Sequence, residues 1–405
     1  MMTRSDVGID QLGVYLPRYA LPLDRLAAAR GVPVMKIHVG LGAHAMAVAP
    51  PWEDAVTLGA NAAARVFQQG EVARDDIGLL VVGTETAVDH AKPASIFLHD
   101  LLGLPSSCRT FEIKHACYGG TAGVMLAADW VRSGAARGRK ALVVATDIAR
   151  YELGSSPEFT QGAGAAALVV SEAPRLARLG ETTGVFAKNV YDFWRPLERR
   201  EALVDGLFSV ECYLDALRGA VADYRNGLSR QGGASLLDRF AAFLYHTPFP
   251  KMAHKAHHRL VEDEAGGDAG ERFERSWTTQ VEPGLGLARQ AGNTYTASLY
   301  LCLAWLLERE GATLEERELA LFSYGSGCCA EFFSAQPVPG SAARAARIGA
   351  QAQLQARREL TVAEYEAFAS AATGAERPAE GGVAFCYLAG IDEHKRRYAR
   401  SGQLP

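Results

Sequence analysis

The order of apolar segments in this sequence predicts an α/β protein of two similar halves, folded as alternating layers of helix and sheet. Short apolar runs bounded by turn residues alternate with longer helical patterns, the signature of covered sheets in a mixed α/β body. The order strand, apolar helix, strand occurs in each half, although the halves match in plan and not in letters. Each of the two helices in that order is apolar almost all the way round, which a surface helix cannot be, so both belong in the core between sheets.

In the first half a buried-strand pattern, Leu79 to Val82, runs into Gly83-Thr84-Glu85. An apolar helix begins near Cys117 and continues through Met125, Leu126 and Val131, and a second strand, Ala141 to Ala145, ends in Thr146-Asp147. In the second half Ala242 to Tyr245 runs into His246-Thr247-Pro248, an apolar helix follows Gly292-Asn293 as far as Leu307, and Ala320 to Ser323 ends in Tyr324-Gly325-Ser326-Gly327. The polar, Gly-rich stretch from Arg259 to Arg275 reads as an exposed loop or insertion. Gln336 to Gly340 is a Pro/Gly turn, and Ala342 to Arg358 fits strand or helix equally. No Gly/Ser- or Pro-rich linker appears, so residues 1–175 and 176–405 are expected to form two halves of one compact unit.

Composition narrows the function. The 405 residues are 48% hydrophobic and 22% charged, the balance of a folded soluble chain. A formal charge of -4 gives no basic footprint for nucleic acid, while leaving room for a local basic patch around an anionic ligand. Seven scattered cysteines contain no CxxC spacing, so neither a zinc site nor a disulfide framework is expected. Met1 to Asp10 lacks the apolar core of a signal peptide, and the longest charge-free stretch, Gln290 to Leu307, is broken by polar residues. A cytoplasmic protein without a membrane span is the expectation.

Three residues stand where sites are built. Cys117, in His115-Ala116-Cys117-Tyr118-Gly119-Gly120-Thr121, is a candidate acyl-accepting nucleophile at a helix N-terminus, where the dipole would favour the thiolate. Each glycine of Gly119-Gly120 would cost a plain core helix about 1 kcal/mol relative to alanine, which points to a close backbone approach. Glu85 and His246 each end an apolar strand. Taken singly, a packed cysteine, a capping carboxylate and a structural histidine would explain all three. His254, His257 and His258 lie in a basic run read as surface, suited to anion contact more than to metal.

Together these motifs resemble the 3-hydroxy-3-methylglutaryl-CoA synthase family, which has the thiolase fold, a duplicated five-layered α-β-α-β-α body. The resemblance runs from about Leu12 to Tyr398. Its landmarks include Gly83-Thr84-Glu85-Thr86, Ala116-Cys117-Tyr118-Gly119-Gly120, Gly162-Ala163-Gly164, Asp192-Phe193-Trp194-Arg195-Pro196, His246-Thr247-Pro248-Phe249, Gly292-Asn293-Thr294 and Ser323-Tyr324-Gly325-Ser326-Gly327. It implies that Cys117 is acetylated, that Glu85 removes a proton from the acetyl methyl group, and that His246 serves the acceptor's oxygen. It further implies that Asn293 orients the acceptor, that the amides of Cys117 and the Ser326-Gly327 turn stabilise the enolate, and that Lys251 and Lys255 meet phosphates. No metal and no cofactor beyond a phosphopantetheine thioester is implied, and the expected assembly is a homodimer.

The text from Phe111 to Cys117, Val144 to Ile148, and Tyr387 to His394 is most similar to the polyketide branch, whose members add an acetate-derived branch to a β-keto chain on an acyl carrier protein. Lys251 and Lys255 resemble the CoA-using enzymes of primary metabolism instead. A chain-initiating ketosynthase, which also uses Cys, His and Asn, needs no carboxylate base, so Glu85 separates it from this reading. A silent homologue that only docks a carrier protein should have lost the reactive residues.

Overall fold

The computed structural model describes residues 6–199, 201–228, 235–265, 269–375 and 384–401. Its centre is a nine-stranded sheet. The strands, in chain order, are β1 (Val7–Tyr15), β2 (Ile77–Gly83), β3 (Arg109–Ile113), β4 (Lys140–Ala149), β5 (Gly162–Glu172), β6 (Ala177–Ala187), β7 (Ala242–Tyr245), β8 (Leu319–Gly325) and β9 (Cys329–Pro337). Their spatial order is β7-β8-β9-β6-β1-β5-β4-β2-β3. Two sheets meet edge to edge in this run, since β1 and β6 pair only through Gly8 with Arg178 and Ile9 with Ala177. On one side β2 lies parallel to β3 and β4, with β5 antiparallel; on the other β7 lies parallel to β8, with β9 antiparallel. By position β2 therefore corresponds to β7, and β4 to β8.

Alternation along the strands assigns the layers. Leu80, Val82, Leu142 and Val144 face the helices α1 (Ala55–Gln68) and α2 (Ala94–Leu102). Leu79, Val81, Val143 and Ala145 face inward, onto α3 (Gly119–Arg132). On the second sheet Phe322 and Phe332 pack on Tyr213 and Tyr224 of α4 (Gly206–Gly227), and Phe243 and Tyr245 pack on His257 of α5 (Pro250–Ala265). Between the sheets α3 meets α6 (Ser298–Leu314), where the Tyr300 hydroxyl donates to Thr121 Oγ1 at 2.8 Å. The succession is helix, sheet, helix, sheet, helix, as expected.

Several local expectations change. Residues from Arg259 to Arg275 are mostly helical, in α5 and in a helix Ala269–Ser276, because Leu260 and Val261 continue the buried face of Ala253, Ala256 and His257 on α5, and Phe273 anchors the second helix. Gly266, Gly267 and Asp268 lie outside the described residues, as do Met1 to Ser5. Ala342 to Arg358 resolves into helices Ala342–Ala345 and Ala350–Gln355 and a short strand Arg358–Glu359. All-round burial holds for the first half of α6 and fails for α3, where Leu126 is 49% exposed. Nor is His257 a surface residue. It is fully buried, between the Tyr245 hydroxyl at 2.9 Å and the Ser276 hydroxyl at 2.8 Å. No helix among the described residues is long and apolar enough to cross a membrane.

Candidate active site

Glycines set how closely the reactive segments approach. A Cβ on Gly83, at the end of β2, would stand 2.5 Å from the Gly119 carbonyl carbon and the Gly120 nitrogen. One on Gly120 would stand 2.8 Å from the Thr296 carbonyl oxygen, and one on Gly325 would stand 2.6 Å from Tyr118. Backbone lies on backbone here, and this contact draws the end of β2, the start of α3 and the turn after β8 together. Ala116 adopts φ 40, a left-handed conformation costly for a non-glycine residue. Cys117 follows it, two positions before α3, with Tyr118 at the N-cap.

This arrangement places Cys117 Sγ 3.7 Å from Glu85 Oε2, with the thiol as donor. Cys117 is 8% exposed and packs with Ala149, Tyr295 and Phe193. The dipole argument predicted a more acidic thiol, and the surroundings reverse it. Burial, then the Glu85 and Asp147 carboxylates, push the Cys117 thiol well above its ordinary range. Burial and the neighbouring Asp147 charge likewise push Glu85 well up, so the carboxylate is a stronger base than a free one.

Asp147, at the inner end of β4, is the hub that sequence reading passed over. Its Oδ1 accepts from Thr84 Oγ1 and the Glu85 and Thr86 amides at 2.9 Å, and from Thr86 Oγ1 at 2.7 Å. Its Oδ2 accepts from the Thr296 amide at 3.1 Å and hydroxyl at 2.5 Å. The loop carrying Glu85 is thus tied to the entry of α6. A signal existed, since Asp147 ends an apolar strand just as Glu85 does. Arg195 adds a bond from its guanidinium to the Glu85 carbonyl oxygen.

The segment from Asn293 to Ser298 supplies the opposite wall. Asn293 Oδ1 accepts the Tyr295 amide at 2.9 Å, fixing the turn before α6. Ser298 Oγ lies 2.6 Å from His246 Nδ1 and accepts the Thr247 amide at 3.2 Å. The Ser298 hydroxyl has one hydrogen to give, and the arrangement that leaves the outer ring nitrogen of His246 a donor sends it to Nδ1. We therefore assign the proton of neutral His246 to Nε2. Burial drives the His246 pKa down to about 3.

Ser326 and Gly327 form the turn after β8, and the Gly327 amide donates to Asp192 Oδ1 at 2.9 Å, so it is already engaged. The same Asp192 accepts the Tyr324 hydroxyl at 2.6 Å. Lys251 and Lys255 stand one turn apart on α5, half-buried and exposed respectively. The Lys251 amide donates to the Leu41 carbonyl at 2.9 Å, which sets this helix end against the loop after the helix Val34–His38. Among the described residues no cluster of His, Cys, Asp and Glu is arranged to hold a metal ion.

Comparison with known proteins finds relatives of this arrangement. Residues 3–174 match the family model described as hydroxymethylglutaryl-coenzyme A synthase N terminal, and residues 180–274 and 269–377 match its C-terminal counterpart. The hydroxymethylglutaryl-CoA synthase of Enterococcus faecalis is 38% identical over 361 residues, covering 89% of this chain and 91% of that one. The polyketide biosynthesis 3-hydroxy-3-methylglutaryl-ACP synthase PksG of Bacillus subtilis is 36% identical, covering 79% of this chain and 78% of its own. The HMG synthase of the curacin biosynthetic pathway, solved in complex with holo donor-ACP, superimposes with a TM-score of 0.90 at 32% identity over 98% of this chain and 100% of that one.

Proposed function

The chain belongs to the hydroxymethylglutaryl-CoA synthase family, acyl-condensing enzymes of thiolase-like fold that form a C–C bond, and from that premise we propose that it adds an acetyl-derived carbanion to the β-ketone of a β-ketoacyl chain held on an acyl carrier protein. The observation that carries the chemistry is the Glu85 carboxylate 3.7 Å from the Cys117 sulfur.

Cys117 attacks the acetyl thioester, its thiol proton passes to the departing phosphopantetheine thiol, and the acetyl group stays on sulfur. Glu85 takes a proton from the acetyl methyl group, and the enolate oxygen is held by amide donors, with Cys117's own amide and Ser326 the remaining candidates once Gly327 is committed to Asp192. The enolate carbon attacks the acceptor's β-ketone. His246, neutral and carrying its hydrogen on Nε2, donates to the alkoxide as it forms, while Asn293 holds the turn that shapes the acceptor site. Water then cleaves the Cys117 thioester, releasing a branched carboxylic acid still attached to its carrier and restoring the thiol.

Support for a carrier protein comes from the surface beside Lys251 and Lys255. The helix Val34–His38 presents Lys36, with Met35 67% and Val39 just beyond it 59% exposed. Apolar side chains among cations suit an acidic protein with an apolar helix face better than they suit a nucleotide. The similarity to PksG and to the curacin enzyme points the same way. A second reading, condensation of acetyl-CoA with acetoacetyl-CoA, is favoured by the similarity to the Enterococcus faecalis enzyme. We also propose a homodimer, with division of the chain into halves near residue 175: among the described residues β3 ends the sheet with one edge unpaired, and such an edge is the kind of surface a second copy covers.

Intact-mass measurement after exposure to acetyl-CoA or to acetyl-carrier protein tests the reading. Faster acetylation of Cys117 from the carrier protein is expected. Preference for CoA would move the assignment to the second reading, and no acetylation from either donor would end both.

A further inference from the structure

A cavity of about 430 Å³ is lined by Ala149 and Tyr151, among others. Its walls are the strand Ala45–Val48, the end of β4 with the residues after it, and the helix Val362–Ser370. This volume falls within the roughly 300–1,000 Å³ common for small-molecule sites. Two wall residues also belong to the surroundings of the reactive sulfur. Ala149 packs against Cys117, and Tyr151 stands close enough to Tyr295, which packs against Cys117 as well, for the two phenols to influence each other's ionisation.

The cavity is built rather than incidental. Gln161 and Tyr365, both in its wall, bond to each other at 2.6 Å, and the Tyr365 hydroxyl donates to the fully buried Glu158 at 3.1 Å. Arg30 clamps Glu158 with two bonds of 2.9 Å, and Gln161 Oε1 accepts the Tyr151 amide at 2.6 Å. An ion pair so fully bonded, with its carboxylate wholly buried, holds the wall in one position.

Resting on the function proposed above, we propose that this cavity receives the part of the acceptor acyl chain beyond its β-ketone. The acetyl group needs no such room, since both its carbons lie at Cys117. The acceptor's β-carbon must meet that acetyl carbon, so whatever follows it needs room beside Cys117, and this cavity shares Ala149 with the surroundings of that sulfur. Ala47, Val48 and Phe368 offer apolar surface, and Gln161 and Tyr365 offer polar points, which suits a medium-length acyl chain bearing a hydroxyl or amide group.

The test compares acetoacetyl and 3-oxooctanoyl thioesters of phosphopantetheine as acceptors for the wild-type protein, Ala369→Trp and Ala49→Phe. Both substitutions fill the cavity from residues outside the reactive cluster, and Ala369 is exposed, so the fold should tolerate the change. The expected result is a loss of at least tenfold in kcat/KM for the long acceptor, with less than twofold change for acetoacetyl and for acetylation of Cys117. Equal loss on both acceptors, no loss on either, or a wild-type protein that uses acetoacetyl but not the long chain would overturn the proposal. A wild-type protein that is acetylated yet condenses with neither acceptor would instead overturn the condensing function, and this proposal with it.

Discussion

Replacing Glu85 by Gln separates the two half-reactions, and the site geometry sets the direction of each effect. The carboxylate lies 3.7 Å from the Cys117 sulfur, within a buried cluster, and its charge is among the causes that hold the thiol protonated. A carboxylate this close to the sulfur repels a thiolate and so opposes ionisation of Cys117. Glu85→Gln removes that repulsion. Cys117 should then ionise at lower pH, and acetylation at neutral pH should be at least as fast as in the wild-type protein. Condensation should fall by about 10²- to 10⁴-fold, the usual contribution of a positioned base. Rapid-quench mass spectrometry of the acetyl-enzyme across a pH series, paired with single-turnover condensation, reads both steps. A variant that loses acetylation while its pH profile stays in place, or one that condenses at the wild-type rate, would refute the reasoning.

Two further outcomes follow from the same geometry. His246, driven to about 3 by burial, stays neutral from about pH 5 to 8, so an NMR titration should show no change in its imidazole over that range; titration near 6.5 would contradict the tautomer and donor role. Because its folded pKa lies below the unfolded value, its contribution to stability is present above about pH 6.5 and is lost as pH falls toward 3, by about 1.4 kcal/mol per pH unit. Gly83→Ala puts a methyl group 2.5 Å from the backbone at the start of α3, and should lower unfolding free energy by about 1–3 kcal/mol while slowing condensation about a hundredfold by moving Glu85 from Cys117. A urea melt and turnover unchanged from wild type would show that the close approach is dispensable.

The layered fold was legible because it depends on apolar runs and their order, both visible in the letters. Glu85, Cys117 and His246 could be singled out because each interrupts or ends an apolar segment. What escaped depends on residues distant in sequence. The acidity of Cys117 cannot be read from its own helix when the deciding charges, Glu85 and Asp147, arrive from β2 and β4. Asp147 looked like a strand terminus, and only the folded chain shows six bonds converging on its two oxygens. Arg259 to Arg275 was misread as a loop because its polar letters outnumber the few apolar ones that anchor it to the core.

The stretch from Asn293 to Ser298 belongs to the later half of the chain, yet Tyr295 touches Cys117, Thr296 bonds Asp147 and Ser298 bonds His246. Duplication thus left two modules that are no longer interchangeable. A chimera joining the front of one relative to the back of another inherits a working centre only when Gly83, Gly120 and Asp147 travel with a matching tyrosine, threonine and serine. Recombination that respects sheet boundaries but ignores this hexapeptide should yield folded, inert hybrids.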